Sequence, residues 1–228
     1  MVRQLFELCG RDPALRFSPY VWRVRLILEH KGLAFEGIPW RFLDKPSIEP
    51  AGSKTVPVLK DGARWVADSF DIACYLDAAY PDRTVFGGEE GRAPARFFNE
   101  WLNRTVVLGI FPMIVADIAS VLDDENAVYF RQTREKYLGR SLEEAQAGRE
   151  AAHAQFLKGL APVRATLERQ PYLGGNRPGF ADFALMGTLM WPHVVSGFDV
   201  LEGAGPIVDW RTRMDAEMGG VMDRATRA

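Results

Sequence analysis

Ser18 stands directly before Pro19 at the start of a helix-like stretch, and that pairing can act on an anion. A hydroxyl at a helix N-terminus can donate to a negative atom while nearby backbone N–H groups and the helix dipole favour the charge. Serine need not give up its proton, so this would be electrostatic stabilisation rather than general base catalysis. Read locally, the favoured role of Ser18 is an N-cap whose oxygen satisfies a free backbone N–H. Asp68-Ser69 opens a second helix-like stretch in the same way. Val56-Pro57 begins a strand; an ordinary trans proline on an edge strand is the local expectation there, with a cis bond as the alternative. Lys54 precedes it in a polar loop that also holds Arg41 and Lys45. The thiols are Cys9 and Cys74, too few for a disulfide framework or a zinc set. Cys9 ends an apolar strand and reads as a buried structural thiol; Cys74, in mid-helix, is expected to be buried too. His30, His153 and His193 are far apart, so no metal is expected.

The chain that must position these groups has 228 residues, enough for one or two domains. Its 28 basic and 30 acidic residues leave a net charge of −2, with no overall field to favour nucleic acid or an anionic membrane. A charged ligand would therefore have to be caught by a local cluster. The N-terminus lacks the apolar core of a signal peptide. The most apolar run, Thr105 to Ala116, is short of the roughly 20 residues of a spanning helix and reads as a buried helix. A cytoplasmic protein with reduced thiols is the expectation.

Gln4 to Cys9 reads as a strand, followed by a polar loop. In the helix opened by Ser18-Pro19, Tyr20, Val24, Ile27 and Leu28 form one apolar stripe. His30 and Lys31 suit its negative end, and Gly32 stops it. Leu33 to Trp40 is a second strand candidate, and Arg41 to Thr55 an irregular stretch. Val56 to Leu59 and Arg64 to Ala67 flank Asp61-Gly62, a hairpin signal. The helix after Asp68-Ser69 should bury Ile72, Tyr75, Leu76 and Ala79. From about Pro94 helical periodicity takes over. The expected division is 1–81, a linker 82–92, and an all-helical part 93–228.

The segments SPYVWRVRLILEHKGL, TVPVLKDG and VADSFDIACYLDAAYP, in this order, resemble the N-terminal domain of cytosolic glutathione transferases. YLGGNRPGFADFAL resembles a segment of their helical second domain. Within that superfamily, SPYVWR, DSFDIACYLDAAYPDR and LEEAQAGRE look like the serine-type bacterial transferases that include β-aryl etherases. The fold implied is α/β plus all-α: a thioredoxin-like glutathione-binding domain, then an all-helical domain.

The resemblance makes Ser18 the catalytic residue, holding the glutathione sulfur as thiolate. It makes Val56-Pro57 a cis-proline turn whose Val56 backbone pairs with the cysteinyl part of glutathione. Asp68 would accept from the γ-glutamyl ammonium and Ser69 would hold its carboxylate. Lys54 would meet the glycyl carboxylate, with Lys45 and Arg41 as competitors. Asp182 matches the aspartate of a capping box whose first position is Gly179, so only half of the reciprocal pair can form and the role is in folding. A small hydrophobic electrophile would lie between the domains, against residues such as Phe17, Tyr20, Phe98, Trp101, Phe111 and Met113, which at helical spacing also suit the core. The implied activity is detoxifying conjugation or etherase-like displacement in a cytoplasmic homodimer. The alternatives are glutathione-dependent thiol exchange, peroxide reduction, or a non-catalytic binding module.

Overall fold

The computed structural model describes residues 2–228. Strand β1 (Arg3–Leu8) leads through a loop into α1 (Pro19–His30), then β2 (Phe35–Trp40). A short 3-10 helix (Lys45–Ala51) follows, then the hairpin β3 (Val58–Asp61) and β4 (Arg64–Ala67), and α2 (Ser69–Ala79). The sheet order is β2-β1-β3-β4. β1 and β2 are parallel, from Arg3 opposite Phe35 to Leu8 opposite Trp40, so α1 is the crossover that a parallel pair requires. β3 runs antiparallel to both β1 and β4, and Gly62, at φ 60°, makes the tight turn between them.

The remainder is helical: α3 (Arg92–Trp101), a π-helical stretch (Leu102–Val107), α4 (Leu108–Ser120), α5 (Asp124–Leu138), α6 (Leu142–Ala147), α7 (Arg149–Gly159), α8 (Ala161–Leu167), α9 (Phe180–Val195), α10 (Pro206–Glu217) and α11 (Val221–Arg224). The thioredoxin-like α/β unit followed by helices is the architecture expected from the sequence.

The halves meet where α1 packs on α9. α9 is buried on nearly every face and lies along α1. Their approach is close because position 187 is glycine: a Cβ there would come within 2.5 Å of the Arg23 backbone nitrogen. At its start, Asp182 is fully buried and receives N–H groups from Leu173, Gly174 and Gly179 and the Trp210 indole. Burial pushes its carboxyl up, and those donors oppose the rise. Gly179 has no side-chain oxygen to return, so the Asp182 N–H donates to the Gly179 carbonyl at 3.0 Å instead and the side-chain half of the box is one-sided, as expected. Within the α/β unit, Lys31 at the end of α1 ties that helix to α2 and to the chain that follows it. Its Nζ meets Asp77 of α2 at 2.8 Å and the carbonyls of Tyr80 and Asp82 at 2.8 and 2.9 Å.

Several expectations are corrected. Ala79 is exposed and Tyr75 half-buried; Phe70, Ala73 and Asp77 take the buried face of α2 instead, because both the sheet and α1 cover it. Cys74 is half-buried rather than buried. The stretch Arg41 to Thr55 is not irregular throughout, since it holds the 3-10 helix. The apolar run Thr105 to Ala116 is helical as expected, within a longer helical run, Arg92–Ser120, of 29 residues. That length would cross a bilayer, but the run packs against α6, α7 and α9 and serves as a core helix.

Candidate active site

The loop that delivers Ser18 is held from several sides. The Phe17 N–H donates to the Leu8 carbonyl at 3.1 Å, and the Trp22 indole donates to the Arg16 carbonyl at 2.8 Å. Beneath it lies Glu7, a fully buried carboxylate in the middle of an apolar strand. It receives Arg25 of α1 at 2.7 Å and Arg16 of the loop at 3.0 Å. A buried carboxylate is tolerated only when paired in this way. Here it locks strand, loop and helix to one another. Gly37 makes room for it, since a Cβ there would sit 2.2 Å from Glu7 Oε2.

Ser18 is the N-cap of α1, in an extended conformation (φ −68°, ψ 124°), and is 3% exposed. Its Oγ accepts from the Val21 N–H at 3.3 Å. Among the described residues that hydroxyl donates to nothing, so its proton is uncommitted. The cap is therefore compatible with a second use of the same group. Pro19 follows at the first helical position, where its missing N–H costs nothing.

Ser18 lines a cavity of about 570 Å3 between the α/β unit and the helices. Lys54, Thr55 and Val56 form part of the same wall, and the Val56-Pro57 bond is cis. The three basic residues of that loop separate clearly. Arg41 is engaged by Asp123 at 3.1 Å, Lys45 lies over the Tyr129 ring at 5.3 Å, and Lys54 is exposed at the cavity.

Asp68 and Ser69 stand at the start of α2, outside the cavity lining itself. Asp68 takes φ 73°, a region a non-glycine residue enters rarely, with aspartate among the tolerated types. Its Oδ1 accepts from the Phe70 and Asp71 N–H groups at 2.8 and 3.1 Å. Its Oδ2 accepts no hydrogen bond among the described residues. Its charge acts on Tyr20 and Arg23 of α1, which places the two helix starts in one electrostatic neighbourhood. Burial pushes the Tyr20 phenol up, and it stays protonated. Arg23 is wholly buried, and its donors meet only neutral oxygens, on Thr188, Asn99 and Asn103. Burial brings it down to about 10.

The sequence expectation for the cavity's aromatic wall was partly wrong. Phe17, Tyr20 and Phe111 line it. Met113 is fully buried in the core, and Phe98 and Trp101 pack on each other at 5.4 Å outside the cavity. The aromatic residues missed are Trp40, Phe42, Tyr129, Phe130, Tyr137 and Trp191, and Arg134 among them was missed too. Tyr129 and Arg134 lie five positions apart in α5, within the stretch from Pro94 read only as helical, and nothing in its spacing marks a cavity face. The π stretch shifts the side-chain register at Leu102–Val107; Val107, at its end, and Leu108 and Phe111 beyond it face the cavity.

Both thiols are pushed up by burial, Cys9 against the opposing charges of Arg41 and Arg16, and neither lines the cavity.

A hydroxyl at a helix start, a cis-proline turn on a thioredoxin-like sheet and a cavity closed by a helical domain are thus brought together. Comparison with known proteins identifies the family. Residues 17–79 match the family described as glutathione S-transferase, N-terminal domain, and residues 93–210 match glutathione S-transferase, C-terminal domain. The probable glutathione S-transferase GSTU6 of Oryza sativa is 30% identical over 76% of this chain and 68% of its own. The glutathione S-transferase-like protein ustS of Aspergillus flavus is 28% identical over 78% of this chain and 74% of its own. The crystal structure of glutathione transferase GSTFuA3 from Phanerochaete chrysosporium superposes with a TM-score of 0.85 at 27% identity, covering 95% and 97% of the two chains. A Ceriporiopsis subvermispora glutathione S-transferase solved with glutathione shares the fold at a TM-score of 0.83 and 24% identity, over 98% and 97% of the chains. The chain belongs to the glutathione S-transferase family, enzymes that use glutathione as cosubstrate.

Proposed function

We propose that this glutathione S-transferase is of the serine type: Ser18 donates its hydroxyl proton as a hydrogen bond to the glutathione sulfur and holds it as thiolate. The observation that supports this best is the state of that hydroxyl, with its oxygen fixed by the Val21 N–H and its proton free at the cavity wall. Glutathione would then lie along Val56, whose backbone precedes the cis Pro57 and can pair with the cysteinyl unit as an added strand does. Lys54 meets the glycyl carboxylate. The free Oδ2 of Asp68 accepts from the γ-glutamyl ammonium, and Ser69 with the first N–H groups of α2 holds the γ-glutamyl carboxylate.

The thiolate attacks an electrophilic carbon of a hydrophobic substrate in the cavity. A carbon–sulfur bond forms, the bond to the leaving group breaks, and the thiol proton leaves to solvent. Conjugation and etherase-like displacement of an aryloxide both follow this scheme, and in either the site contributes proximity and thiolate stabilisation. Thiol exchange through this chain's own cysteines is disfavoured, because Cys9 is 1% exposed and its thiol is held protonated by burial. The same reading gives residues 1–81 to glutathione, 82–92 to a linker and 93–228 to the electrophile side. It also makes the protein a cytoplasmic homodimer; a monomer by light scattering would remove the dimer.

Retention on immobilised glutathione followed by turnover of an aryl halide tests the proposal. Both are expected. Retention without turnover across a broad panel of electrophiles would favour a binding module.

A further inference from the structure

The far wall of the cavity is built by one face of α5, which presents Tyr129, Phe130, Arg134 and Tyr137. Arg134 is out of place in such a wall. Its guanidinium lies over the Phe130 ring at 5.1 Å and over the Phe42 ring at 5.8 Å. Its one hydrogen bond is from Nη1 to the Thr133 hydroxyl at 3.1 Å. Among the described residues it joins no ion pair, whereas its neighbour Arg131 holds Glu135 at 2.8 Å and Glu143 at 2.7 Å. Burial lowers its pKa, yet a guanidinium stays charged at neutral pH.

The charge in the lining has one sign. Lys54 and Arg134 are its charged residues, and no aspartate or glutamate is among the described lining residues. Lys45, over the Tyr129 ring, adds a further positive group beside the same wall. An unpaired cation half-buried among aromatic rings is unfavourable to the fold unless something compensates it. With its Cζ over two rings, the guanidinium is held by packing while most of its donors make no hydrogen bond among the described residues. That fork matches a carboxylate in bidentate geometry. The rings of Phe42, Phe111 and Trp191 supply flat apolar surface for the rest of a ligand.

We propose that the second substrate of this site is an aromatic electrophile bearing a carboxylate, and that Arg134 is the specificity-determining residue that pairs with it. This rests on the transferase reading above. Glutathione's own carboxylates are met elsewhere, by Lys54 and by the start of α2, so Arg134 is left for the electrophile.

The test compares para-chloro-meta-nitrobenzoate with its methyl ester in wild type, R134M and R134K. In each reaction the glutathione sulfur bonds to the chlorine-bearing carbon, chloride leaves with the bonding pair, and the thiol proton goes to solvent. The kcat/KM ratio of acid to ester, corrected for reaction with free glutathione, is expected to fall about 10–100-fold in R134M, the worth of a charge-assisted hydrogen bond. R134K should recover part of the ratio, since it restores charge without the fork. An unchanged ratio, or a loss confined to the KM for glutathione, would overturn the assignment while leaving transferase activity intact. If wild type turns over neither compound, the broad electrophile panel tests the transferase reading separately. Calorimetric binding of the benzoate and the ester then decides: a preference for the benzoate that R134M abolishes supports the anion site, and equal affinities overturn it.

Discussion

At the scale of single residues, the molecule places its buried charges where two elements must be held together. Asp77 shows how. Burial alone would push its carboxyl up. The Lys31 ammonium, the Thr84 hydroxyl and the Val85 and Phe86 N–H groups outweigh that and hold it below the usual carboxylate range. A carboxyl whose pKa is lower folded than unfolded stabilises fully above the unfolded value, and the contribution disappears as pH falls through the folded one. Asp77→Asn is therefore expected to cost about 2–3 kcal/mol at neutral pH, from the lost charge-assisted contacts. The gap to wild type should close as the medium is acidified below the ordinary carboxylate pKa of about 4. Urea melts of both proteins across that range measure it; a gap that stays constant with pH would show that the carboxylate charge is not what stabilises the joint. Neither this pair nor Glu7 with its two arginines was legible in the sequence. Glu7 lies in an apolar run and its partners are nine and eighteen positions away, so only the fold reveals the pairing. Ser18 and Asp68 were legible because capping is local: the same backbone donors that make them caps make them, with Ser69 beside Asp68, candidates for binding.

At the scale of elements, the strands, the hairpin and the first two helices could be read from apolar spacing, Gly62 and the two cap residues. What could not be read is which helix faces meet. α1 is covered by the sheet on one side and α9 on the other, so its single predicted stripe became burial on nearly all sides, Arg23 included. The α1–α9 contact rests on Gly187. Gly187→Ala would drive a methyl group against Arg23 backbone atoms at 2.5 and 2.8 Å, which cannot swing aside as a side chain can. A destabilisation of about 1–3 kcal/mol is expected, as for other overpacked sites. Gly148, at φ −87° with open space around its would-be Cβ, is the control. Gly148→Ala should be neutral or stabilising by about 0.4–1 kcal/mol, through the unfolded chain. Thermal melts of the two variants separate the cases; equal effects would mean that the close crossing does not matter.

At the scale of the whole molecule, the proposed function lies in the seam. The α/β unit contributes Ser18, Lys54 and Val56, and α4, α5 and α9 contribute the apolar wall. The first set was visible in sequence, and the second was not, since cavity-facing aromatics have the same spacing as core aromatics. Met113, expected at the site, lies in the core, while Arg134, unremarked in its helix, faces the cavity. The measurement closest to the central claim is the ultraviolet absorbance of the thiolate of enzyme-bound glutathione, titrated with pH in wild type and Ser18→Ala. Wild type is predicted to ionise the sulfur well below the ordinary thiol range near about 8.5. Ser18→Ala should return it toward that range and lower turnover by about a hundredfold or more, as loss of a donor to a developing anion does elsewhere. An unaltered titration in Ser18→Ala, with turnover intact, would contradict the account.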